Sequence, residues 1–153
     1  MNILKGSSII EVVIATALIS IAILSALSLT NNSQKTNDSA RNLEEANKYA
    51  TQATDWLRSE RDSLGWATMA AKTPGTYCLN NLPIPPANFG DITLGDCMAT
   101  DFLGDNTIFQ RKIVINTTNA DKTAGVVKIL VQVTWLEKIM RETSIEMELT
   151  KWN

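Results

Sequence analysis

The stretch IIEVVIATALISIAILSALSL, residues 9–29, decides the fold of this chain. Glu11 is its only charged residue, and it contains neither glycine nor proline. At about 1.5 Å per residue, a helix of this length spans roughly 31 Å, which matches the hydrocarbon core of a bilayer. The sequence therefore predicts one membrane-spanning helix near the N-terminus.

The charges on either side of this stretch predict its orientation. Lys5 precedes it, and the next charged residue after Glu11 is Lys35. Because positively charged flanks tend to remain in the cytoplasm, we expect the N-terminus there. The chain is then a single-pass protein of the cytoplasmic membrane with its C-terminus outside.

Glu11 is the unusual residue, because a charge near the membrane interior costs on the order of a few kcal/mol. Two interpretations are open. In the first, Glu11 lies at the membrane interface in the first helical turn, where the partial positive charge of a helix N-terminus favours an acid. In the second, a cation supplied by a partner compensates for the carboxylate.

The segment KGSSIIE, residues 5–11, resembles the processing site of type IV prepilins, in which a basic residue and a glycine precede cleavage and glutamate is fifth in the mature chain. The resemblance implies that a prepilin peptidase cuts after Gly6 and methylates the new N-terminus at Ser7. It also implies that Glu11 pairs with the terminal amine of a neighbouring subunit. Ser7 and Ser8 stand where the family usually has phenylalanine and threonine.

The same resemblance implies a set of partners. These are other pilin subunits, the prepilin peptidase, an inner-membrane assembly platform and, before assembly, membrane lipid. Small residues in the stretch suit close packing of such helices against one another; they include Ala15, Ala22 and Ala26. The final location implied is a cell-surface pilus.

An ordinary secretory signal peptide is the competing interpretation of the N-terminus. Ala26 and Ser28 form a small-x-small site at which the chain could be cut before Leu29. The acidic Glu11 and an apolar run longer than the usual signal-peptide core argue against it.

The helix is expected to continue beyond the membrane, because no glycine or proline occurs between Ser7 and Leu64. The stretch TNNSQKTNDS, residues 30–39, is rich in poor helix formers and favours a kink or local melting. Beyond it, apolar residues recur at helical spacing and predict a buried face: Leu43, Ala46, Ala50, Ala53, Leu57 and Leu64. Gly65 is a plausible helix stop.

The C-terminal part shows the two-residue period of β-strands over residues 108–116, 126–135 and 139–150, with a short hairpin connection at Glu137 and Lys138. In the second segment alternate residues predict one apolar face: Val127, Ile129, Val131, Val133 and Trp135. In the third, Ile145, Met147 and Leu149 alternate with Glu146 and Glu148. The predicted fold is therefore α+β, a long N-terminal helix packed on a C-terminal antiparallel β-sheet, which is also the pilin architecture.

The middle segment, residues 65–107, holds all four prolines and is predicted to be an irregular loop. It contains Cys78 and Cys97, which in an exported chain are best explained by one disulfide. Two unpaired thiols remain the alternative, and a metal site is remote with two cysteines and no histidine. The expected organisation is a leader at 1–6, a transmembrane and assembly helix at 7–29, an extracytoplasmic helix at 30–64, the loop at 65–107 and the sheet at 108–153, with 30–153 forming one globular domain.

A second, looser resemblance concerns the segment DWLRSERDSLGW, residues 55–66, together with VTW at 133–135 and LTKW at 149–152. These stretches are similar to the PilV-like group of minor pilins. From the residues themselves, Trp56 or Leu57 and Trp66 are expected to pack at the helix end. Asp55, Arg58 and Asp62 can form ion pairs at helical spacing.

Composition argues against an enzyme and predicts no cofactor. The chain has no histidine, which removes the usual general base at neutral pH and the commonest zinc ligand. No phosphate loop, nucleotide fingerprint or metal spacing is present. The net charge of −2 provides no basic field for nucleic acid. Two small basic pairs, Arg58 with Arg61 and Arg111 with Lys112, leave DNA or surface binding by a multi-copy filament conceivable but unsupported.

Three hypotheses for function result. The first is a structural subunit, a minor pilin of a type IV pilus. The second is a pseudopilin of a type II secretion system, in which a short periplasmic filament moves substrates outward. The third is a membrane-tethered or secreted binding module whose disulfide loop recognises a ligand.

Overall fold

The computed structural model describes residues 7–82, 88–103 and 108–151. The predicted leader, with Lys5 and Gly6, and the terminal Trp152 lie outside the described residues. The elements, in chain order, are α1 (Ser7–Leu64), α2 (Trp66–Ala71), β1 (Gly75–Cys78), a 3-10 turn (Phe89–Asp91), β2 (Phe109–Ile115), α3 (Asn119–Thr123), β3 (Val126–Leu136) and β4 (Met140–Thr150). The chain divides into two compact units, Met1–Arg41 and Asn42–Asn153.

The first unit is the N-terminal part of α1, and it stays helical through the stretch expected to melt. Within residues 30–39, the Thr36 hydroxyl donates to the carbonyl oxygen of Asn32 at 3.0 Å, and the Thr30 hydroxyl donates to that of Ala26 at 3.0 Å. These bonds run back along the helix, so the hydroxyls do not pull the backbone into a competing turn. The expected local melting was wrong.

The second unit contains an antiparallel sheet with the strand order β1-β2-β3-β4. The strands β2, β3 and β4 confirm the three segments that alternation predicted. The last two form a hairpin in which Leu136 pairs with Met140, so the connection is short, as expected. The observed fold is α+β, with the C-terminal part of α1 packed on the sheet.

The core lies between that part of α1 and one face of the sheet. On the helix, four residues of the predicted stripe are fully buried: Ala46, Ala50, Ala53 and Leu57. On β3 all five predicted apolar residues are buried, and on β4 Met147 and Leu149 join them. The small alanine side chains let the helix lie close to the sheet, and the larger strand side chains fill the space between them. This face is the one that the spacing predicted.

Leu43 and Leu64 depart from the prediction. Leu43 is 45% exposed and Leu64 is only partly buried, although both have the right spacing for the stripe. Leu43 adjoins Asn42, the first residue of the second unit, and Leu64 ends the helix. Periodicity identifies the apolar face of a helix. How many residues of that face are buried depends on how far the sheet extends along the helix.

The middle segment is less irregular than expected. It contains α2, the 3-10 turn and a fourth strand, β1, which pairs with β2 from Gly75 opposite Ile115 to Cys78 opposite Lys112. A four-residue strand is too short to show a period, and its partner lies far along the chain. The polar connection between β2 and β3 likewise contains α3, whose Thr118 and Asp121 form a capping box.

Candidate functional site

The apolar run of α1 presents its side chains to the surroundings. From Ile9 to Leu29 every isoleucine, valine and leucine is at least 54% exposed. The helix that contains them is long and apolar enough to cross a membrane, as predicted. An exposed apolar surface of this extent requires lipid or another protein to cover it.

Glu11 lies in the second turn of α1 as described. The helix begins at Ser7, and its first turn contains no acidic residue. The partial positive charge of a helix N-terminus acts mainly within the first turn, so it offers little compensation for Glu11. The neighbours of Glu11 on its helix face are apolar and include Ile10, Ile14, Ala15 and Leu18. Among the described residues of α1 up to Leu29, none carries a positive charge that could compensate for Glu11.

The two cysteines form the disulfide that the sequence predicted. The sulfur atoms of Cys78 and Cys97 are 2.08 Å apart, and the Cα atoms are 4.8 Å apart. Cys78 belongs to β1, and just before Cys97 the backbone N–H of Gly95 donates to the carbonyl oxygen of Thr76 at 2.9 Å. The disulfide loop therefore contacts the outer edge of β1 at Gly95, which forms an isolated parallel bridge with Tyr77.

Replacing both Cys78 and Cys97 by serine is expected to lower the free energy of unfolding by about 3 kcal/mol, because the disulfide restricts the unfolded chain. Urea unfolding of the full-length protein in detergent micelles, followed by tryptophan fluorescence, measures the change. Wild-type protein treated with a reductant should show the same loss. An unchanged midpoint in both samples would contradict the prediction.

Two charged residues, Glu60 and Lys72, connect the same loop to the helices. The Glu60 carboxylate accepts a hydrogen bond from the backbone N–H of Phe89 at 2.7 Å. The Lys72 ammonium donates to the carbonyl oxygens of Gly90 at 3.0 Å and Ile92 at 2.6 Å. Burial lowers the pKa of Lys72. Both residues therefore have structural partners in the loop, and nothing in their local sequence indicates it.

Arg111 and Lys112 were considered as a small basic pair through which a multi-copy filament could bind DNA, but Arg111 is not available for such contact. Arg111 is only 1% exposed. Its guanidinium donates to the carbonyl oxygens of Leu79 at 2.8 Å and Tyr49 at 2.9 Å and to the side-chain oxygen of Gln52 at 3.1 Å. Burial lowers the pKa of Arg111 to about 10, so it remains charged at neutral pH. Its side chain joins α1 to the disulfide loop rather than facing a ligand.

The reason for this burial is visible in the alternation of β2. Odd-numbered residues of that strand face the core, and Arg111 occupies an odd position between Phe109 and Ile113. The sequence contained this signal. An arginine at a core-facing strand position should be expected to be buried with its hydrogen-bond acceptors.

The remaining cations of the two basic pairs lie beside carboxylates. Arg58 contacts Asp55 at 3.2 Å, as the helical spacing predicted, whereas Asp62 is contacted by Arg61 at 2.8 Å. Lys112 lies 3.3 Å from Asp96. Each positive charge is thus offset locally, which weakens any attraction for phosphate groups.

The aromatic side chains around the end of α1 pack as expected. Leu57 is fully buried, and Trp56 and Trp66 are partly buried against the core. The rings of Trp56 and Phe89 meet edge to face with centroids 6.2 Å apart.

Within residues 7–82, 88–103 and 108–151, no three histidine, cysteine or acidic side chains are grouped so as to hold a metal ion.

Comparison with protein-family models, with curated proteins and with solved structures gave no significant match.

Proposed function

We propose that this chain is a structural subunit of a type IV pilus, a minor pilin, that is held in the membrane and then assembled through α1. The observation that carries the proposal is an exposed apolar helix surface whose one charged residue, Glu11, has only apolar neighbours among the described residues of its helix face, Ile10, Ile14, Ala15 and Leu18. A carboxylate in apolar surroundings is tolerated when a positive partner reaches it. The amine of a neighbouring subunit's N-terminus is such a partner.

The proposed maturation supplies that amine. Cleavage after Gly6 makes Ser7 the first residue and leaves Glu11 fifth in the mature chain. The prepilin peptidase is the proposed enzyme, and methylation of Ser7 is a further step. After assembly, α1 is covered by the corresponding helices of other subunits, which replace the lipid that covers it beforehand.

The two units are proposed to have different functions. The apolar first unit provides the assembly surface, and the second unit has its own core, formed by part of α1 and the sheet. A disulfide in the second unit suits an oxidising compartment, which favours the orientation with the C-terminus outside the cytoplasm. The subunit is proposed to enter the filament by way of an inner-membrane assembly platform.

The mature N-terminus is the most direct test. We expect the protein purified from membranes to begin at Ser7, as read by N-terminal sequencing and by the intact mass, which also reports methylation. A chain beginning at Leu29 would indicate an ordinary signal peptide and overturn the proposal. An uncut chain would also overturn it.

The location of the mature protein separates the remaining alternatives. A pilus subunit should be present in filaments sheared from the cell surface. A pseudopilin of a type II secretion system should be absent from them, and its deletion should block secretion. A tethered binding module should keep its ligand binding without any assembly partner.

A further inference from the structure

The strand β4 lies at one edge of the sheet, because the strand order ends with it. It has 11 residues, as many as β3, and its pairing with β3 runs without a bulge from Thr150 opposite Val126 to Met140 opposite Leu136. Edge strands are usually short, bulged or interrupted by proline or lysine, because their open backbone groups can pair with other strands. Neither proline nor lysine occurs in β4. The sheet therefore has one long and regular edge.

Hydrogen bonds at the two ends of the hairpin show which backbone groups of β4 point outward. The N–H of Lys151 donates to the carbonyl oxygen of Gly125 at 2.8 Å, and the N–H of Glu137 donates to that of Ile139 at 3.1 Å. Facing residues of an antiparallel pair alternate between pairs that exchange both hydrogen bonds and pairs that exchange none. Odd-numbered residues of β4 are therefore bonded to β3. The even-numbered residues direct their N–H and C=O groups away from the sheet: Met140, Glu142, Ser144, Glu146, Glu148 and Thr150.

These outward backbone groups are open. In the part of the chain that the structure describes, no further strand lies beside β4 and no hydrogen bond reaches the outward N–H and C=O groups. An open row of alternating donors and acceptors is the surface to which an extended peptide adds as a further strand.

Negative charge lines the same edge. Three of the even-numbered residues are exposed glutamates on the sheet face opposite to the core: Glu142, Glu146 and Glu148. Among the described residues, none of these three forms an ion pair. Lys128 pairs with Glu148 across the strands, but its ammonium lies 2.8 Å from the Asp121 carboxylate. A partner for this edge should therefore bring cations.

A second copy of the chain does not meet this requirement. Two β4 edges paired about a two-fold axis would bring glutamates next to glutamates, which is destabilising in a sheet. The opposite edge of the sheet is β1, whose sequence GTYC contains no cation. Neither edge of another copy therefore complements the charge of β4.

We infer that the outer edge of β4 binds an extended segment of another protein by strand addition, and that this segment carries lysine or arginine at alternate positions. Its cations lie beside the glutamates on the outer face. The residues between them lie beside Thr143 and Ile145 on the other face, and Ile145 is only partly buried against the core, so apolar residues fit there. Backbone hydrogen bonds provide affinity and the charge pairs provide specificity. The inference needs only the sheet and does not depend on the proposed function.

Peptide binding to the full-length protein in micelles of a non-ionic detergent tests the inference. The probe is a fluorescein-labelled nine-residue peptide that alternates lysine and valine, and fluorescence anisotropy gives its affinity. One control peptide has the same composition with all lysines before all valines, and another alternates glutamate and valine. Amide hydrogen exchange at Ser144 and Glu146, followed by NMR, reports whether the edge itself is covered.

Two variants separate the backbone contribution from the charge. Ser144→Pro removes one outward N–H, a change that edge strands tolerate on the side facing solvent. Glu146→Lys reverses one charge of the edge and leaves its backbone groups in place. Glu44→Lys is the matched control for the charge, because Glu44 is an exposed glutamate on α1, outside the sheet.

We expect the alternating lysine peptide to bind roughly tenfold or more tighter than either control peptide and to slow exchange at Ser144 and Glu146. Ser144→Pro should abolish this binding, Glu146→Lys should weaken it several-fold, and Glu44→Lys should leave it unchanged. Equal affinity for the alternating and block peptides would indicate charge attraction alone and overturn the inference. Absence of binding would overturn it too, since the glutamates would then only keep other strands away. Self-association of the protein that Ser144→Pro prevents, measured by sedimentation, would place a second copy at the edge and equally overturn it.

Discussion

Replacing Glu11 by alanine is expected to abolish incorporation into filaments while the protein still enters the membrane. Removal of a charge from an apolar segment lowers the cost of insertion by on the order of a few kcal/mol, so the amount in the membrane should not fall. In the proposed filament, the same change would leave the neighbouring subunit's amine buried without its partner. Breaking a buried ion pair in this way costs roughly 3–5 kcal/mol, enough to reduce incorporation more than a hundredfold.

Immunoblots of the membrane fraction and of sheared filaments measure the two quantities separately. Thr16→Ala is the matched control, because its hydroxyl donates to the carbonyl oxygens of Val12 and Val13 in its own helix, both at 3.0 Å. It removes a polar group from the same apolar surface and should leave incorporation unchanged. Glu11→Gln keeps the shape but not the charge and should behave like alanine. Normal incorporation of either Glu11 variant would rule out the pairing.

Replacing Arg111 by alanine should lower the free energy of unfolding by roughly 3 kcal/mol or more. The change leaves a cavity in the second unit and deprives the Leu79 carbonyl and the Gln52 side chain of their donor. The connection between α1 and the disulfide loop is lost with it. Urea unfolding of the full-length protein in detergent micelles, followed by tryptophan fluorescence, gives the value.

Lys112→Ala is the comparison for this experiment, since Lys112 is adjacent, is also basic and forms an ion pair with Asp96 at the surface. An exposed ion pair contributes about 0–1 kcal/mol, so this variant should unfold close to wild type. If the two variants lost equal free energy of unfolding, the buried hydrogen bonds of Arg111 would contribute no more to stability than an exposed ion pair.

The elements that could be predicted are those whose signal lies within one segment. The long helix followed from an uninterrupted run without glycine or proline, and β3 followed from strict alternation between apolar and polar residues. The prediction that Ala46, Ala50 and Ala53 face the core was confirmed, because the spacing of residues on one helix face does not depend on which element packs against it. A short motif likewise predicted cleavage after Gly6, methylation at Ser7 and the pairing of Glu11. These three remain predictions.

The elements that escaped prediction depend on residues far apart in the chain. The strand β1 is four residues long and exists because β2 lies beside it. The Glu60 carboxylate on α1 accepts a hydrogen bond from the backbone N–H of Phe89, which lies 29 residues further along the chain. Neither interaction has a local pattern, because each is decided by where two distant segments meet.

The sequence by itself determined a membrane-length apolar helix with one carboxylate, the α+β class of the remainder and the residues that face the core. Only the tertiary structure decided that Arg111 is a buried connector rather than a surface cation, and that the apolar side chains of the β3–β4 hairpin stay uncovered. Periodicity reports which side of an element is apolar. Whether that side is covered, and by what, depends on contacts between elements that no single segment encodes.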